Sequence, residues 1–477
     1  MDVTGARRAV IVVFDGLRPD MVTPELMPEL AGFAAGAAWF REARSVFPSY
    51  TRVATTSIAT GSWPRRHGIV GNQFHQPGLI AGGPLDTSNY AHLEAAAVAW
   101  PGGAVGVEDL GTSLARAGKR LSIVHCGSAG SAFLLNSRVL ENGHWTFSIH
   151  GEAHTRTPGA VRASVARHGP LPGPELPKIG AVERAAQVVC DTVLAEQAPD
   201  VAIVWFPEPD TSFHYCRIGS EDSRRALAAC DTAFARIRAA LGPDTLLIAM
   251  SDHGQITVDR EVDLGAALRA AGFRASDRPG EGDVFGYTRG AAGELRLLSD
   301  RPDPAAVSDL AAWAMEQDWL GLLFSRDGLP GTLPLAAVMG DHPRAPDLVY
   351  ACRSDRTPDP DGLPGRGAFT GGVPLMGGMH GGLNRHELTT LLALSGPGIT
   401  PGERECPAGI VDVMPTVLAA LGVPQQGAEG RVLEEAWGAA PAAVERLYDR
   451  ARAGRFAQEL QRLGYRDRVY LHEGARL

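Results

Sequence analysis

Long hydrophobic runs are absent from this sequence of 477 residues, and none reaches the roughly 18 apolar residues of a membrane-spanning helix. The N-terminal residues also lack an apolar segment followed by a small-residue cleavage site, the pattern of a secretory signal peptide. We therefore expect a cytoplasmic protein with no membrane partner.

Basic residues are fewer than acidic residues. The 45 Lys and Arg residues stand against 54 Asp and Glu residues, which gives a formal net charge of -9. A nucleic-acid polymer is bound through a broad basic surface, so an acidic chain disfavours DNA or RNA as a partner. A small anionic substrate remains compatible with this charge if a bound metal supplies local positive charge.

Cysteine pairs are missing as well. The six cysteines are scattered and form no Cys-x-x-Cys pair, which excludes zinc-finger and thioredoxin-like sites. We expect them to be reduced, mostly buried and structural.

Short apolar runs, too continuous for half-exposed strands, alternate with Ala- and Leu-rich stretches of helical character. The predicted strands are 9–14, 121–125, 201–206, 245–250, 347–351 and 390–395. The predicted helices are 24–36, 106–117, 180–196, 221–241 and 408–421. Buried strands that alternate with helices predict an α/β fold, in which helices cover both faces of a mostly parallel sheet.

Segments that break this alternation divide the chain. Residues 140–180 and 270–335 are irregular, and we predict that these insertions build a smaller cap on the α/β core. Residues 436–477 are predicted to form a helical C-terminal tail of mixed charge. A Gly- and Pro-rich loop over 354–379 leads directly into His380. The predicted α/β core consists of residues 1–139, 181–269 and 336–435.

Acidic residues follow three of the predicted strands. Asp15, Asp210 and Asp252 each lie just beyond the end of a different strand. In sheets of this kind, ligands bind beyond the carboxyl ends of the strands. We therefore expect the three carboxylates at one edge of the sheet.

Three histidines accompany these aspartates. His214 lies four residues after Asp210, His253 follows Asp252, and His380 lies in a Gly-Gly-Met-His-Gly-Gly segment. Mixed His and Asp ligands favour Zn²⁺, whereas a dedicated Mg²⁺ or Ca²⁺ site would use oxygen alone. Two metals together clamp the attacking and leaving oxygens of an in-line phosphoryl displacement.

Thr51 is the candidate nucleophile. It follows the turn-like residues Phe47-Pro48-Ser49-Tyr50 and precedes a run of small and apolar residues that predicts the start of a helix. The positive end of a helix dipole favours both a hydroxyl oxygen and a phosphate attached to it. Coordination to a metal makes the alkoxide of threonine accessible at neutral pH.

The motifs in chain order carry a resemblance to a known family. They read F-P-x-x-T, T-G-x-x-P-x-x-H-G-I-x-x-N, E-P-D-x-x-x-H, S-D-H-G and M-H-G-G. Together they resemble the nucleotide pyrophosphatase/phosphodiesterase branch of the alkaline phosphatase superfamily, which includes phosphonoacetate hydrolase. The resemblance covers roughly the first 75 residues, 200–255 and 375–400. It implies an alkaline-phosphatase-like three-layer sandwich.

The resemblance also implies two Zn²⁺ per chain and a phosphothreonine intermediate on Thr51. Asn72 would donate a hydrogen bond to a non-bridging phosphate oxygen, and the backbone N–H of Arg52 would be a second donor. One Zn²⁺ would be held by Asp15, Thr51, Asp252 and His253. The other Zn²⁺ would be held by Asp210, His214 and His380.

Two departures from the family bear on the substrate. Arg52 occupies the position after the nucleophile, where nucleotide-cleaving members often carry an aromatic residue that stacks on a base. Arginine suits a second negative group better, so Arg52 is a candidate substrate-binding residue. Residues 126–131 contain no lysine, whereas phosphonoacetate hydrolases have a lysine pair there, and this weakens phosphonoacetate as a candidate substrate.

The function predicted from the sequence is di-zinc hydrolysis of a small phosphodiester or pyrophosphate substrate, with a nucleotide among the candidates. A phosphonate (C–P) hydrolase or a phosphomonoesterase on the same site is the enzymatic alternative. A sulfatase is disfavoured because Thr51 lies outside a Cys/Ser-x-Pro-x-Arg motif. The alternative of another class is an inactive metal-binding scaffold. The sequence predicts no oligomeric state.

Overall fold

The computed structural model describes residues 3, 5–299 and 301–477. Within these residues a central sheet of eight strands forms the middle layer of the molecule. In spatial order its strands are Gly402–Gly409, Ala38–Arg44, Leu392–Ser395, Thr245–Met250, Arg8–Phe14, Val201–Phe206, Leu121–His125 and Trp145–Ser148. Leu392–Ser395 runs antiparallel to both of its neighbours, and the other pairs are parallel.

Helices cover both faces of this sheet because its strands are apolar on both sides. In Arg8–Phe14, Val10 and Val12 belong to one buried cluster, whereas Ile11 and Val13 belong to the other. Helices over the first face include Pro28–Ala35, Ile179–Val188 and Glu221–Ala239. Helices over the second face include Thr51–Thr60, Leu110–Arg116 and Val413–Ala420. The predicted mostly parallel sheet between two helical layers is confirmed.

Shorter helices complete these layers. The other α-helices of the described residues are Pro64–His67, Tyr90–Ala99, Ala129–Leu135, Pro158–His168, Asp210–Cys216, Leu264–Ala270, Pro304–Glu316 and Arg385–Leu388. A π-helical segment, Val189–Gln197, continues the helix that begins at Ile179. A short hairpin pairs Gln73–Phe74 with Leu85–Asp86.

A second sheet lies outside the central one and has six strands among the described residues. In spatial order these are Ala275–Ser276, Phe285–Tyr287, Ala292–Leu297, Leu348–Cys352, Leu320–Ser325 and Leu333–Pro334. The prediction that 347–351 belongs to the parallel core is wrong, because Leu348–Cys352 runs antiparallel between two strands of this sheet. A buried apolar strand has the same composition in either sheet, so periodicity does not separate the two cases.

Two predicted irregular segments contain strands. Residues 140–180 supply Trp145–Ser148, which pairs in parallel with Leu121–His125, so these four residues belong to the edge of the central sheet. The predicted loop 354–379 contributes three strands to a four-stranded sheet. In spatial order that sheet consists of Ser354–Pro358, Pro364–Phe369, Ile256–Glu261 and Gly378–Met379.

The prediction of a helical C-terminal tail is wrong. The strands Val444–Ala453, Phe456–Tyr465 and Arg468–Arg476 form an antiparallel meander joined by two-residue turns. The residue types favour a helix, but burial of Leu460, Leu463 and other side chains against the body of the protein overrides that preference.

No helix within the described part of the chain is both long and apolar enough to cross a membrane. All six cysteines are free, and four of them are buried, as expected.

Candidate active site

The three predicted acidic residues meet at the carboxyl edge of the central sheet. Asp15 directly follows the strand Arg8–Phe14, Asp252 lies two residues after Thr245–Met250, and Asp210 begins a helix just past Val201–Phe206. Adjacent parallel strands end at the same edge, so neighbouring strand order places the carboxylates together.

Asp15, Asp252 and His253 form the first cluster, and their ligand atoms lie within 4.8 Å of one another. All three side chains are buried. His253 Nε2 lies 3.1 Å from Asp252 Oδ2 and 3.5 Å from Asp15 Oδ1. Its Nδ1 lies 3.1 Å from the carbonyl oxygen of Gly254, so the N–H of that nitrogen donates to the backbone and leaves the lone pair of Nε2 for the cluster.

Asp210, His214 and His380 form the second cluster, again with ligand atoms within 4.8 Å. The Nε2 atoms of His214 and His380 lie 3.2 Å and 3.4 Å from Asp210 Oδ1. His214 Nδ1 donates to the carbonyl of Gly378 at 2.6 Å, and His380 Nδ1 donates to the carbonyl of Ser49 at 2.7 Å. Each backbone bond fixes the ring so that the lone pair of Nε2 faces the carboxylate, the arrangement found in metal-ligating histidines.

The donor atoms of the first cluster fit a bound cation. Asp15 Oδ1 and Asp252 Oδ2 are buried and accept no hydrogen bond from the residues that the structure describes. Burial raises the pKa of Asp15 well above its usual range, and repulsion from the carboxylates of Asp252 and Asp210 raises it further. Burial opposes a charge on His253, yet these carboxylates raise its pKa to about 9. Buried, unpaired acids that draw positive charge to one point match the needs of a metal site.

Thr51 lies beside the first cluster and lines the same cavity as the second. It is the first residue of the helix Thr51–Thr60, is 5% exposed, and its Oγ1 lies 3.1 Å from His253 Nε2. The rings of His253 and His380 stack with centroids 3.5 Å apart, which joins the two clusters. One hydroxyl at a helix N-terminus therefore contacts a paired set of metal-ligand candidates.

Asn72 and Arg52 lie beside Thr51. Asn72 Oδ1 accepts a hydrogen bond from the backbone N–H of Arg52 at 3.2 Å, so this predicted second donor already has a partner within the protein, and its role toward substrate stays a prediction. The amide nitrogen of Asn72 keeps its two donors for another partner. The carbonyl of Asn72 accepts from Thr87 N and Oγ1, which fixes this residue in place.

The side chain of Arg52 is a cation without a carboxylate partner. Its Nε is buried and makes no hydrogen bond with the described residues. Within that part of the chain, no carboxylate oxygen lies within the 4.0 Å of an ion pair. Burial lowers its pKa, whereas the more distant carboxylates of Asp86, Asp15 and Asp210 raise it.

A cavity of about 550 Å³ opens over these residues. Its lining includes Asp15, Thr51, Arg52, Asn72, Asp210, His214 and His380. Asp252 and His253 are fully buried. Seven of the nine predicted site residues thus line the cavity, and the other two join them through contacts, since His253 lies 3.1 Å from Thr51 Oγ1 and 3.1 Å from Asp252 Oδ2.

Sequence reasoning missed two residues that hold the aspartates. Trp205 Nε1 donates to Asp15 Oδ2 at 2.9 Å, and Gln255 Nε2 donates to Asp210 Oδ1 at 2.5 Å. A tryptophan inside an apolar strand has the pattern of a core residue, so nothing in the sequence distinguishes Trp205. Gln255 lies two residues after His253, and this proximity was the available signal.

The fold and the site together define a hydrolase of the phosphodiesterase and phosphatase superfamily. The profile of the family described as "Type I phosphodiesterase / nucleotide pyrophosphatase" matches residues 9–358. The chain belongs to this family, as its motifs predicted. A search of the curated proteins found no match.

Solved structures share the fold. Murine ectonucleotide pyrophosphatase/phosphodiesterase 5 is 14% identical, with a TM-score of 0.62 over 89% of this chain and 97% of that one. The human protein of the same name is 13% identical, with a TM-score of 0.63 over 91% and 100%. Phosphonoacetate hydrolase from Sinorhizobium meliloti 1021, in complex with phosphonoacetate, is 19% identical, with a TM-score of 0.63 over 87% and 95%. The alkaline-phosphatase-like fold is thus confirmed.

Proposed function

We propose that this protein is a di-zinc hydrolase of small phosphodiester or pyrophosphate substrates that acts through a phosphothreonine on Thr51. The observation that carries the proposal is the position of Thr51 Oγ1, 3.1 Å from His253 Nε2 at the junction of two His/Asp clusters. An inactive scaffold would not need a buried hydroxyl at that point. We also propose that the protein is cytoplasmic, as the sequence predicts.

Asp15, Thr51, Asp252 and His253 would hold one Zn²⁺, and Asp210, His214 and His380 the other. The mixture of imidazole nitrogen and carboxylate oxygen supports zinc over magnesium or calcium. When bound, Zn²⁺ polarises a phosphoryl oxygen and lowers the pKa of a coordinated hydroxyl.

The residues of the chain divide the reaction into two displacements. Thr51 Oγ1 loses its proton and forms a bond to phosphorus while the bond from phosphorus to the leaving oxygen breaks and that oxygen takes up a proton. The other ester of a diester stays on the phosphorus. Water then forms a bond to the same phosphorus, and the bond to Oγ1 breaks, which releases the product and restores Thr51. The helix that begins at Thr51 has ten residues, and its positive end stabilises the negative charge of the phosphoryl group in both steps.

Asn72 would donate to a non-bridging oxygen. Because its Oδ1 accepts from Arg52 N–H, the carboxamide presents its NH₂ to the cavity. An oriented donor of this kind stabilises the charge that develops in the transition state.

We expect Asn72→Ala to lower kcat by about 10²–10³-fold, as for the loss of one oxyanion donor. Steady-state kinetics on an aryl phosphodiester would measure this. Asn89→Ala is the control, because Asn89 caps the helix Tyr90–Ala99 and does not line the cavity. Equal rates for Asn72→Ala and the control would remove Asn72 from the proposed mechanism.

The substrate class follows from the charges around Thr51. A phosphodiester has one fewer negative oxygen than a monoester and needs less compensation beside the uncharged donor Asn72. We therefore expect a bis-aryl phosphate to be cleaved with a higher kcat/KM than the matching aryl monophosphate. A preference for the monoester would replace the proposal with a phosphomonoesterase. A panel that adds phosphonate and sulfate esters tests the remaining alternatives in the same assay.

Arg52 would contact a further anionic or polar group of the substrate, since its buried Nε lacks a partner among the described residues. The solved neighbours are described with small anionic phosphorus compounds, AMP in one case and phosphonoacetate in another. Arg52→Ala should lower kcat/KM far more for a substrate with a second phosphate than for an aryl diester. An equal loss for both substrates would make Arg52 a scaffold residue.

Trp205 would orient Asp15 toward the metal. Its indole N–H donates to Asp15 Oδ2 and leaves Oδ1 free for the ion. We expect Trp205→Phe to weaken zinc binding by about 10–100-fold, measured by competition with a chromophoric chelator. Trp39→Phe is the control, because Trp39 is also buried in the central sheet but its Nε1 makes no hydrogen bond with the described residues. Equal zinc affinities in the two variants would show that the hydrogen bond from the Trp205 indole to Asp15 does not contribute to zinc binding.

A further inference from the structure

Lysine is nearly absent from this protein, and one of the few lysines faces the candidate active site. The sequence has two lysines and 43 arginines. Lys119 forms an ion pair with Asp200 at 3.1 Å, beside the start of a central strand. Lys178 is half-buried and lines the cavity that contains Thr51.

The side chain of Lys178 has no structural partner that accounts for its charge. Its backbone N–H donates to Glu208 Oε1 at 2.8 Å. This hydrogen bond to the rest of the protein does not involve the ammonium group. Within the described residues, no carboxylate oxygen lies within 4.0 Å of its ammonium group. Arg289, another cation of the cavity wall, differs in this respect because it pairs with Asp277 at 3.3 Å.

Lys178 belongs to the wall formed by Gly127, Ser128 and His150. His150 Nε2 donates to the carbonyl of Gly127 at 2.5 Å and holds that loop in place. A Cβ atom on Gly127 would lie 3.6 Å from Asp15 Oδ2, so this wall adjoins the first cluster.

The charge on this wall comes from Lys178. Burial lowers the pKa of His150, the hydrogen bond to the carbonyl of Gly127 opposes this, and the nearby Lys178 lowers the pKa further. Arg52, in contrast, lies on the side of Asn72, and Asp86 is the carboxylate with the largest effect on its pKa. The cavity thus has two separate cations without ion-pair partners in the described residues.

We propose that Lys178 binds an anionic oxygen group, a carboxylate or a phosphate, on the part of the substrate that extends away from the reacting phosphorus. The preferred substrate is then a small phosphorus compound with a second anion in its outer portion. A lysine ammonium is a compact charge with three donors, so it accepts either kind of oxyanion. The proposal rests on the proposed function, because it takes Thr51 and the two clusters as the position of the reacting phosphorus.

Paired inhibitors of diester hydrolysis test this assignment. Alkylphosphonates would be compared with ω-carboxyalkylphosphonates of the same length, over one to three methylenes, and with the corresponding bisphosphonates. In the wild-type holoenzyme we expect the second anion to tighten inhibition by about tenfold at the best length, the value of one charge-assisted hydrogen bond. The carboxylate and bisphosphonate arms identify which oxyanion is preferred.

Two variants and a control locate the effect. Lys178→Met should reduce the ratio of the two inhibition constants to near one, and Lys178→Arg should retain most of it. Lys119→Met removes the other lysine and should keep the wild-type ratio. Circular dichroism confirms that each variant is folded. A wild-type ratio near one at every length, or an unchanged ratio in Lys178→Met, overturns the proposal.

A second readout does not depend on turnover. Reductive methylation with ¹³C-formaldehyde labels both lysines and keeps their charge, and Lys119→Arg assigns the two side-chain signals. The carboxyalkylphosphonates should shift the Lys178 signal and leave that of Lys119 unchanged. If the wild-type protein hydrolyses no diester, the proposed function fails, and this spectrum alone then decides on Lys178. An unmoved Lys178 signal overturns the assignment.

Discussion

Thr51→Ala is expected to lower kcat by several orders of magnitude while the fold and most metal binding survive. Thr51 Oγ1 is the proposed attacking atom, and no other hydroxyl contacts His253 in the described residues. The six other ligand candidates remain in the variant, so two metals should still bind. Steady-state kinetics and elemental analysis of the same preparation would measure both quantities.

Thr60→Ala is the matched control for Thr51→Ala. Thr60 is also a buried threonine of the same helix, and its Oγ1 donates to a backbone carbonyl one turn earlier. We expect this variant to keep a wild-type rate and to reveal any cost of removing a buried threonine. A near wild-type rate for Thr51→Ala would refute covalent catalysis and favour direct attack by water.

Removal of the metals is expected to reduce activity to the background level, and added Zn²⁺ should restore it. Within the described part of the chain, the buried oxygens Asp15 Oδ1 and Asp252 Oδ2 make no hydrogen bond, so without a cation the carboxylates repel one another at the point where the phosphoryl group must bind. Protein purified without chelator should contain zinc near two equivalents. Absence of stoichiometric zinc, together with activity that depends on Mg²⁺ alone, would contradict the assignment.

Asp210→Ala separates the two metal sites. Asp210 Oδ1 contacts both histidines of the second cluster, whereas the first cluster has its own two carboxylates. The variant should therefore lose the zinc of the second cluster and keep partial zinc occupancy at the first. Asp361→Ala is the control, since Asp361 pairs with Arg217 at the surface. Loss of both zinc ions from Asp210→Ala would show that the clusters form a single site.

The sequence predicted which edge of the sheet holds the candidate site, for a physical reason. Strands buried on both faces must be continuously apolar, so their ends are visible, and the residues after them must meet at one edge. This places Asp15 and Asp252 together without a structure. The spacing of Asp210 and His214 places both on one face of a helix turn. Their roles as metal ligands stay a prediction.

Other parts were beyond sequence reasoning because they depend on contacts between distant segments. The C-terminal meander has helix-favouring residue types, but Gln458 bonds to the main chain of Leu323 through both ends of its amide. Trp205 lies in an apolar strand and therefore has the sequence pattern of a core residue. Only the fold brings its indole to Asp15. The sequence also gives no sign that the backbone N–H of Arg52 donates to Asn72, because these residues are twenty positions apart and meet only in the fold.

Trapping the covalent intermediate tests the central claim most directly. The holoenzyme would be mixed with a slow aryl phosphodiester, quenched in acid and digested with trypsin. Cleavage after Arg44 and Arg52 releases a peptide that also contains Ser45, Ser49 and Tyr50, so fragmentation must locate the added group. We predict on Thr51 a phosphoryl group that still carries the remaining ester of the substrate and that decays when substrate is exhausted. Product formation with this peptide unmodified at every time point, or with the group on another residue, would contradict Thr51 as the nucleophile.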